Sequence, residues 1–459
     1  MEQKQNNVAS MGEENITKLL LRFSLPATLA MAVMASYNIV DTIFVGRLGS
    51  QAIAALSVSF PIQMLLGAIA IGTGVGAASL ISRSLGAGKT EDATIAVGQV
   101  FLLALLFGLV IMLVNSFFLR PLLLFFGATP EILELTVDYM SVIANGAVLI
   151  FLIMMLNHVV RAEGNVILPM QVMIISAVSN IIMDPIFIFV LDMGVRGAAV
   201  ATILAKIIGV FLMLRHYLTR RSVLHLHLQN LRPNWRIILD IYKVGLPSLF
   251  IQMSANISLI IVNRILGEFG YLPIAIMGLV TRFQMFAFMP VLGIAQGLLP
   301  IIGFNFGAGK YPRIREALLK GSGAGTVFVT LAGLAFFIFP GFFLRIFSSE
   351  EELLSAGVQA VRIMVLMYPL LSAQTNSIIY FQAIGKGTSS LFLSLLRQFL
   401  FYLPFIIFMP HYFGLTGIWL ATPMADLLAF LVTVILISRE FNSRGIPLYV
   451  PKEPRCNTR

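Results

Sequence analysis

Asp41 stands in the stretch SYNIVDTIFVGRLG, where Ile39, Val40, Ile43, Phe44 and Val45 surround it, and Asp184 stands in SNIIMDPIFIF. A carboxylate in so apolar a run is costly unless it is paired or used, because leaving water penalises its charge. Each acid has polar company at helical spacing. Tyr37 and Asn38 precede Asp41 by four and three residues, and Asn180 precedes Asp184 by four, so each set shares a helix face. Thr202, in AVATILAK, adds a hydroxyl where its helix packs beside them. Two carboxyls, an amide and a hydroxyl make an oxygen-rich site. Carboxyls removed from water exchange their charge for a proton readily, and the same oxygens coordinate Na+. The chemistry expected is therefore coupling to H+ and/or Na+, with Na+ held, if at all, by Asp41, Asn180, Asp184 and Thr202. Pro185, directly after Asp184, removes a backbone hydrogen bond in mid-span, and Pro26 sits early in the span of Asp41; both are expected hinges.

The elements that carry these residues belong to a membrane. Of 459 residues 58% are hydrophobic and 11% charged, and the mean hydropathy is +0.92, far more apolar than a soluble domain. A helix needs about 20 apolar residues to cross a bilayer, and lipid demands a backbone satisfied within each segment. Breaks between apolar runs predict twelve spans, over 18–46, 52–81, 94–120, 130–160, 166–190, 195–218, 238–266, 273–304, 316–345, 355–383, 388–410 and 414–438. The polar residues 1–17 lack the pattern of a cleavable signal peptide, so the first span is expected to direct insertion.

The net charge of +10 raises nucleic acid as a partner, but its placement argues against it. Basic residues collect in alternate loops: Arg83 and Lys89; Arg161; Arg215 to Arg236; Lys310 to Lys320; Lys386; and Arg439 onward. The opposite loops offer little beyond Arg47, Arg120, Arg196 and Arg345. Such asymmetry predicts both termini in the cytoplasm of a prokaryotic plasma membrane, with membrane lipids touching the basic loops.

The chain also repeats itself. LPATLAMAVMASYNIVDTIFVGRLG from Leu25 aligns with LPSLFIQMSANISLIIVNRILGEFG from Leu246, and SLGAGK ending at Lys89 with NFGAGK ending at Lys310; both offsets are 221 residues. Gly164 matches Gly385 at the same offset, and GVRGAAVAT (194–202) matches GLTGIWLAT (414–422) with one residue dropped. An even number of spans separates the copies, so they share one membrane orientation. The fold class predicted is an all-α polytopic membrane protein, with twelve transmembrane helices in two six-helix bundles related by a pseudo-twofold axis along the membrane normal. The divisions expected are a cytoplasmic segment 1–17, a first bundle 18–218, a basic linker 219–237, a second bundle 238–440 and a cytoplasmic tail 441–459. A repeat of this kind suits a transporter in which one bundle rocks against the other.

The repeat also isolates the acids. Asp41 falls on Val262 and Asp184 on Phe405 or Pro404, so the duplicated scaffold needs neither carboxylate. Asp426 is a third acid in an apolar run, with Arg397 and Gln398 as candidate partners. Asn157, Gln252 and Asn256 are first of all helix-to-helix hydrogen-bonding residues, and with Met285 and Asp426 they are candidates for a substrate cavity. His158 reads as a packing residue, and His225 and His227 as solvated loop. The single cysteine, Cys456, leaves no disulfide framework and no cysteine metal site. GAGK at 86–89 lacks Walker spacing, and no nucleophile has a paired base, so neither a cofactor nor an enzyme is expected.

FSLPATLAMAVMASYNIVDTIFVGRLG, GVGAASLISRSLGAGK, RAEGN, NIIMDPIFIF, GVRGAAVAT and the later VGLPS…GAGK together resemble the multidrug and toxic compound extrusion (MATE) transporters over roughly 18–440. The resemblance implies export of organic, often cationic and aromatic or amphipathic, compounds in exchange for H+ or Na+; a two-bundle transporter can work as a monomer, which is the state expected. It is similar to the prokaryotic branch with coupling residues in the first bundle, where Asp41, Asn180, Asp184 and Thr202 match the cation site and Tyr37 and Asn38 lie beside it. The branch with acids in the seventh and tenth spans is not matched, since Asp240 at a helix end is the one acid in 238–266 and 355–383 has none. A lipid-linked precursor flippase of similar architecture is the alternative. It would need more buried positive charge than Arg264, Arg282 and Arg397 supply.

Overall fold

The structure, a computed structural model, describes residues 2–219, 222–224, 227–346 and 350–446, without the side chains of 2–7, 228 and 256. Arg220, Arg221, His225, Lys452, Arg455, Cys456 and Arg459 lie outside the described residues. The helices are α1 (Glu2–Glu13), α2 (Ile16–Gly46), α3 (Ser50–Gly86), α4 (Thr90–Phe125), α5 (Pro130–Asn145), α6 (Ala147–Ala162), α7 (Ile167–Pro185) and α8 (Gly194–Leu218). The second half contributes α9 (Trp235–Gly267), α10 (Tyr271–Gly307), α11 (Tyr311–Ile338), α12 (Pro340–Arg345), α13 (Glu351–Met364), α14 (Tyr368–Ala383), α15 (Gly387–Leu395) and α16 (Leu403–Asn442). No strand occurs among the described residues.

Among the described residues twelve spans emerge once the breaks are read physically. The pairs α5–α6 and α13–α14 are each one span, bent by 55° and 53°. The run Gly387–Asn442 is 56 residues long, about 84 Å as straight helix against a core of about 30 Å, so it must hold two spans. Gly414, at φ 55° and ψ −143°, divides it. Its counterpart Gly194, at φ 56°, divides the fifth and sixth spans. Gly88 and Gly309 (φ 73° and 69°), and Gly164 and Gly385 (φ 87° and 85°), close equivalent turns. A left-handed turn excludes most side chains, so glycine survives in both copies.

α3 is central, packing on α4, α5 and α6 of its own half and on α9 and α10 of the other. Small residues permit this approach, as in other membrane helix pairs. A Cβ on Gly86 would overlap the Phe304 carbonyl, one on Gly76 the Ile241 carbonyl and one on Gly303 the Ser82 hydroxyl. Hydrogen bonds between the halves cluster at the same end, near Lys89 and Lys310. Ser79 donates to the Gln382 carbonyl (2.5 Å) and the Thr73 and Tyr242 hydroxyls pair at 3.2 Å. The polar N-terminal residues form α1, which docks on the second half: Asn305 and Lys310 donate to the Met11 and Gly12 carbonyls (2.9 and 3.0 Å), and Arg313 to that of Glu14 (2.6 Å).

Candidate functional site

Asp41 on α2 lies within electrostatic range of Asp184 on α7, because α2 packs on α7, and α7 packs on α8. Asn180, one turn before Asp184, donates from Nδ2 to Asp184 Oδ1 at 3.1 Å and reaches Thr202 Oγ1 on α8 at 3.5 Å. Asn180 and Asp184 are 3% and 0% exposed. Burial leaves three oxygen atoms without a partner: Asp41 Oδ1, Asp184 Oδ2 and Asn180 Oδ1. An unpartnered buried acceptor forfeits its hydration, about 1–3 kcal/mol each and more for a charged group. Other buried oxygens, Asp426 Oδ2 among them, are also unpartnered; here two of the three belong to carboxyls within electrostatic range of each other.

A second buried carboxylate in the same half shows the contrast. Glu163 accepts from Tyr217 (2.6 Å) on one oxygen and Ser222 (2.5 Å) on the other, with His216 at 3.7 Å. Both of its oxygens are satisfied, which ties the segment after α8 to the bundle and leaves nothing for a ligand to do.

The candidates divide. Asn180, Asp184 and Thr202 come together, with Asp41 within electrostatic range of Asp184. Tyr37 is half-buried beside them, within electrostatic range of Tyr139, whereas Asn38 is exposed and turns from the cluster. Tyr139 on α5 is buried and lies within electrostatic range of both acids, and Gln63 on α3 reaches its hydroxyl at 3.5 Å. Neither was anticipated. Only the acidic Asp138 next door marks that stretch, and Asp138 itself is exposed. Pro26 lies within the unbroken α2, while Pro185 ends α7, and a π-helical segment, Ile186–Val190, follows it.

The cavity candidates have separate surroundings where their side chains are described. Asn157 is buried and bonds back to the Ile153 carbonyl at 2.7 Å. Gln252 and Met285 are exposed, and the Asn256 side chain lies outside the described residues. Asp426, 0% exposed, accepts from Arg397 Nε at 2.6 Å, and Gln374 donates to its backbone carbonyl at 2.5 Å. Arg397 lies in a second π-helical segment, Leu396–Tyr402. Gln398, half-buried, was the other expected partner; Arg397 makes the bond described.

A sequence model of the MatE family matches residues 26–186 and 247–408, one stretch in each half. The FAD transporter of Shewanella oneidensis is 28% identical over 92% of this chain and 95% of its own. The multidrug export protein MepA of Staphylococcus aureus is 26% identical over 92% of this chain and 93% of its own. A solved structure described as the outward-facing conformation of a multidrug resistance MATE family transporter is 27% identical, with a TM-score of 0.90, covering 95% of this chain and 98% of that one.

Proposed function

The chain belongs to the MatE family, and we propose that this integral membrane transporter is a secondary antiporter that exports organic compounds, cationic or amphipathic, in exchange for H+ and/or Na+. The observation that carries the reading is that Asp184 is bonded to Asn180 and within electrostatic range of Asp41, and each of the three has an oxygen that is buried and unpartnered: Asp41 Oδ1, Asp184 Oδ2 and Asn180 Oδ1. Carboxyl, amide and hydroxyl oxygens are hard donors, suited to a proton or an alkali cation and poorly suited to a soft metal. In this reading Asp41 and Asp184 bind the cation, Asn180 and Thr202 complete its shell, and Tyr139 and Gln63 hold the wall behind. The MepA relative, named a multidrug export protein, supports the substrate class.

Antiport requires that drug and cation favour different states. The close packing at Gly76, Gly86 and Gly303 seals one end of the interface between the halves. With the basic loops and both termini in the cytoplasm, that sealed end faces inward and the chain stands open to the outside. The cation then enters from outside, bends the helices near Pro26 and Pro185, and displaces the drug. The bundles at 18–218 and 238–440 are the bodies that rock, and one chain suffices.

A second reading follows from the Shewanella relative, named an FAD transporter. An anionic substrate needs a cation in its path. Arg397 is 30% exposed beyond its bond to Asp426, and a mid-span arginine faces protein or a watery cavity rather than lipid. Proteoliposomes separate the two: ethidium exchange driven by an imposed H+ or Na+ gradient supports the first reading, and flavin nucleotide exchange in its place supports the second.

A further inference from the structure

The second half carries a cleft that the exchange reaction does not use. At the end near Lys386, the first turn of α15 and the last turns of α16 border an open cleft of about 460 Å³, lined by Thr388, Ser389, Arg439, Glu440 and Ser443 with Phe392 at its apolar side. A second cavity of about 410 Å³ shares Thr388 and Phe392 and continues along Leu391, Leu395, Phe399 and Leu400. One end is polar, and the continuation is aliphatic and aromatic.

The charge at the polar end is positive. Glu440 is already committed, accepting from Lys386 on Oε2 (2.6 Å) and from Arg444 on Oε1 (2.7 and 3.0 Å). Arg439 is exposed, and its guanidinium has no described protein partner. The apolar part has a matching length. Leu391 to Leu400 rises about 14 Å as helix, half of a hydrocarbon core of about 30 Å. Phe392, at 53% exposure, and Leu400, at 60%, leave its side open to the bilayer. The other copy of the repeat has no such head group site, since Thr388 and Ser389 fall on Ile167 and Leu168, and Arg439 on Thr219.

We propose that this continuous cleft binds one anionic phospholipid, with its phosphate at Arg439 and the hydroxyls of Thr388 and Ser389, beside Ser443, which donates to the Glu440 carbonyl at 2.8 Å, and an acyl chain along Leu391, Leu395 and Leu400. The charge surplus selects an anionic head group, and the groove spans one leaflet. The site is independent of the coupling ion and of the exported compound.

The test is native mass spectrometry of the full chain released from nanodiscs of phosphatidylcholine with a minor share of phosphatidylglycerol. The wild type is expected to retain one phosphatidylglycerol. Arg439→Gln is expected to lower that retention at least fivefold, and Arg439→Lys to restore most of it. Leu395→Trp, which fills the apolar groove, is expected to lower it as well. Equal retention of the two lipids, or unchanged retention in Arg439→Gln, would overturn the assignment. A dimer that Leu395→Trp dissociates would overturn it too, giving the groove to a second copy. Arg439 is exposed, so its variants fold, and the spectrum reports the intact chain.

Discussion

Asn180 hydrogen-bonds one oxygen of Asp184 at 3.1 Å, and the other oxygen of that carboxyl, fully buried, has no partner. One face of the carboxyl is thereby fixed and the other offered. In the proposed exchange Asn180 serves the cation through two atoms, since its Nδ2 bonds Asp184 while its own Oδ1 has no partner.

Asn180→Ala should therefore cost more than Thr202→Val. Asn180→Ala removes both the group that orients Asp184 and an unpartnered oxygen beside it, so it should raise the half-saturating Na+ concentration roughly tenfold or more. The Thr202 contact, at 3.5 Å, is at the limit of a hydrogen bond, and its loss should change that concentration less than threefold. Titration of transport rate against Na+ at fixed pH measures both.

The sealed end gives a second prediction. Ser82 is fully buried, opposite Gly303. With Cys456→Ser as background, Ser82→Cys should resist a hydrophilic maleimide. Adding Gly86→Ala drives a methyl into the Phe304 carbonyl, so α3 and α10 must separate, and the cysteine should become reactive. Gel-shift labelling over minutes reads the difference.

The pair of Arg397 and Asp426 gives a third. Breaking a buried ion pair from one side leaves a charge without compensation, at a cost of about 3–5 kcal/mol, whereas replacing both members by apolar groups is much milder. Asp426→Ala should lower the thermal unfolding temperature in detergent markedly. Arg397→Met with Asp426→Leu should recover most of that loss. A double-mutant cycle from unfolding curves checks it.

Much of this was legible in the amino-acid sequence because lipid makes its demands locally. Each break between apolar runs is a helix end within a few residues, and the repeat places Gly88 with Gly309 and Gly164 with Gly385 before any coordinates are known. Asp41 and Asp184 stood out because a lone acid in an apolar run is expensive. Tyr139 did not, since a tyrosine suits the wall of any helix bundle and 98 residues separate it from Asp41 (139 − 41). The docking of α1 was equally hidden. It is held through the carbonyls of Met11, Gly12 and Glu14, and a carbonyl carries no trace of residue type. The open face of Asn38 marks the limit of spacing, which says that residues share a stripe and not which way the stripe turns.

The central claim is that Asp41 couples cation entry to export, and ethidium accumulation in everted vesicles tests it most directly. An H+ gradient is imposed in Na+-free buffer, then a Na+ gradient at clamped pH, for wild type and Asp41→Asn. The account predicts that gradient-driven accumulation is lost in Asp41→Asn, while downhill ethidium counterflow and membrane insertion persist, and the effective gradient names the ion. Equal gradient-driven accumulation in wild type and Asp41→Asn would contradict it, leaving the Asp41 carboxyl a structural group and moving the coupling elsewhere.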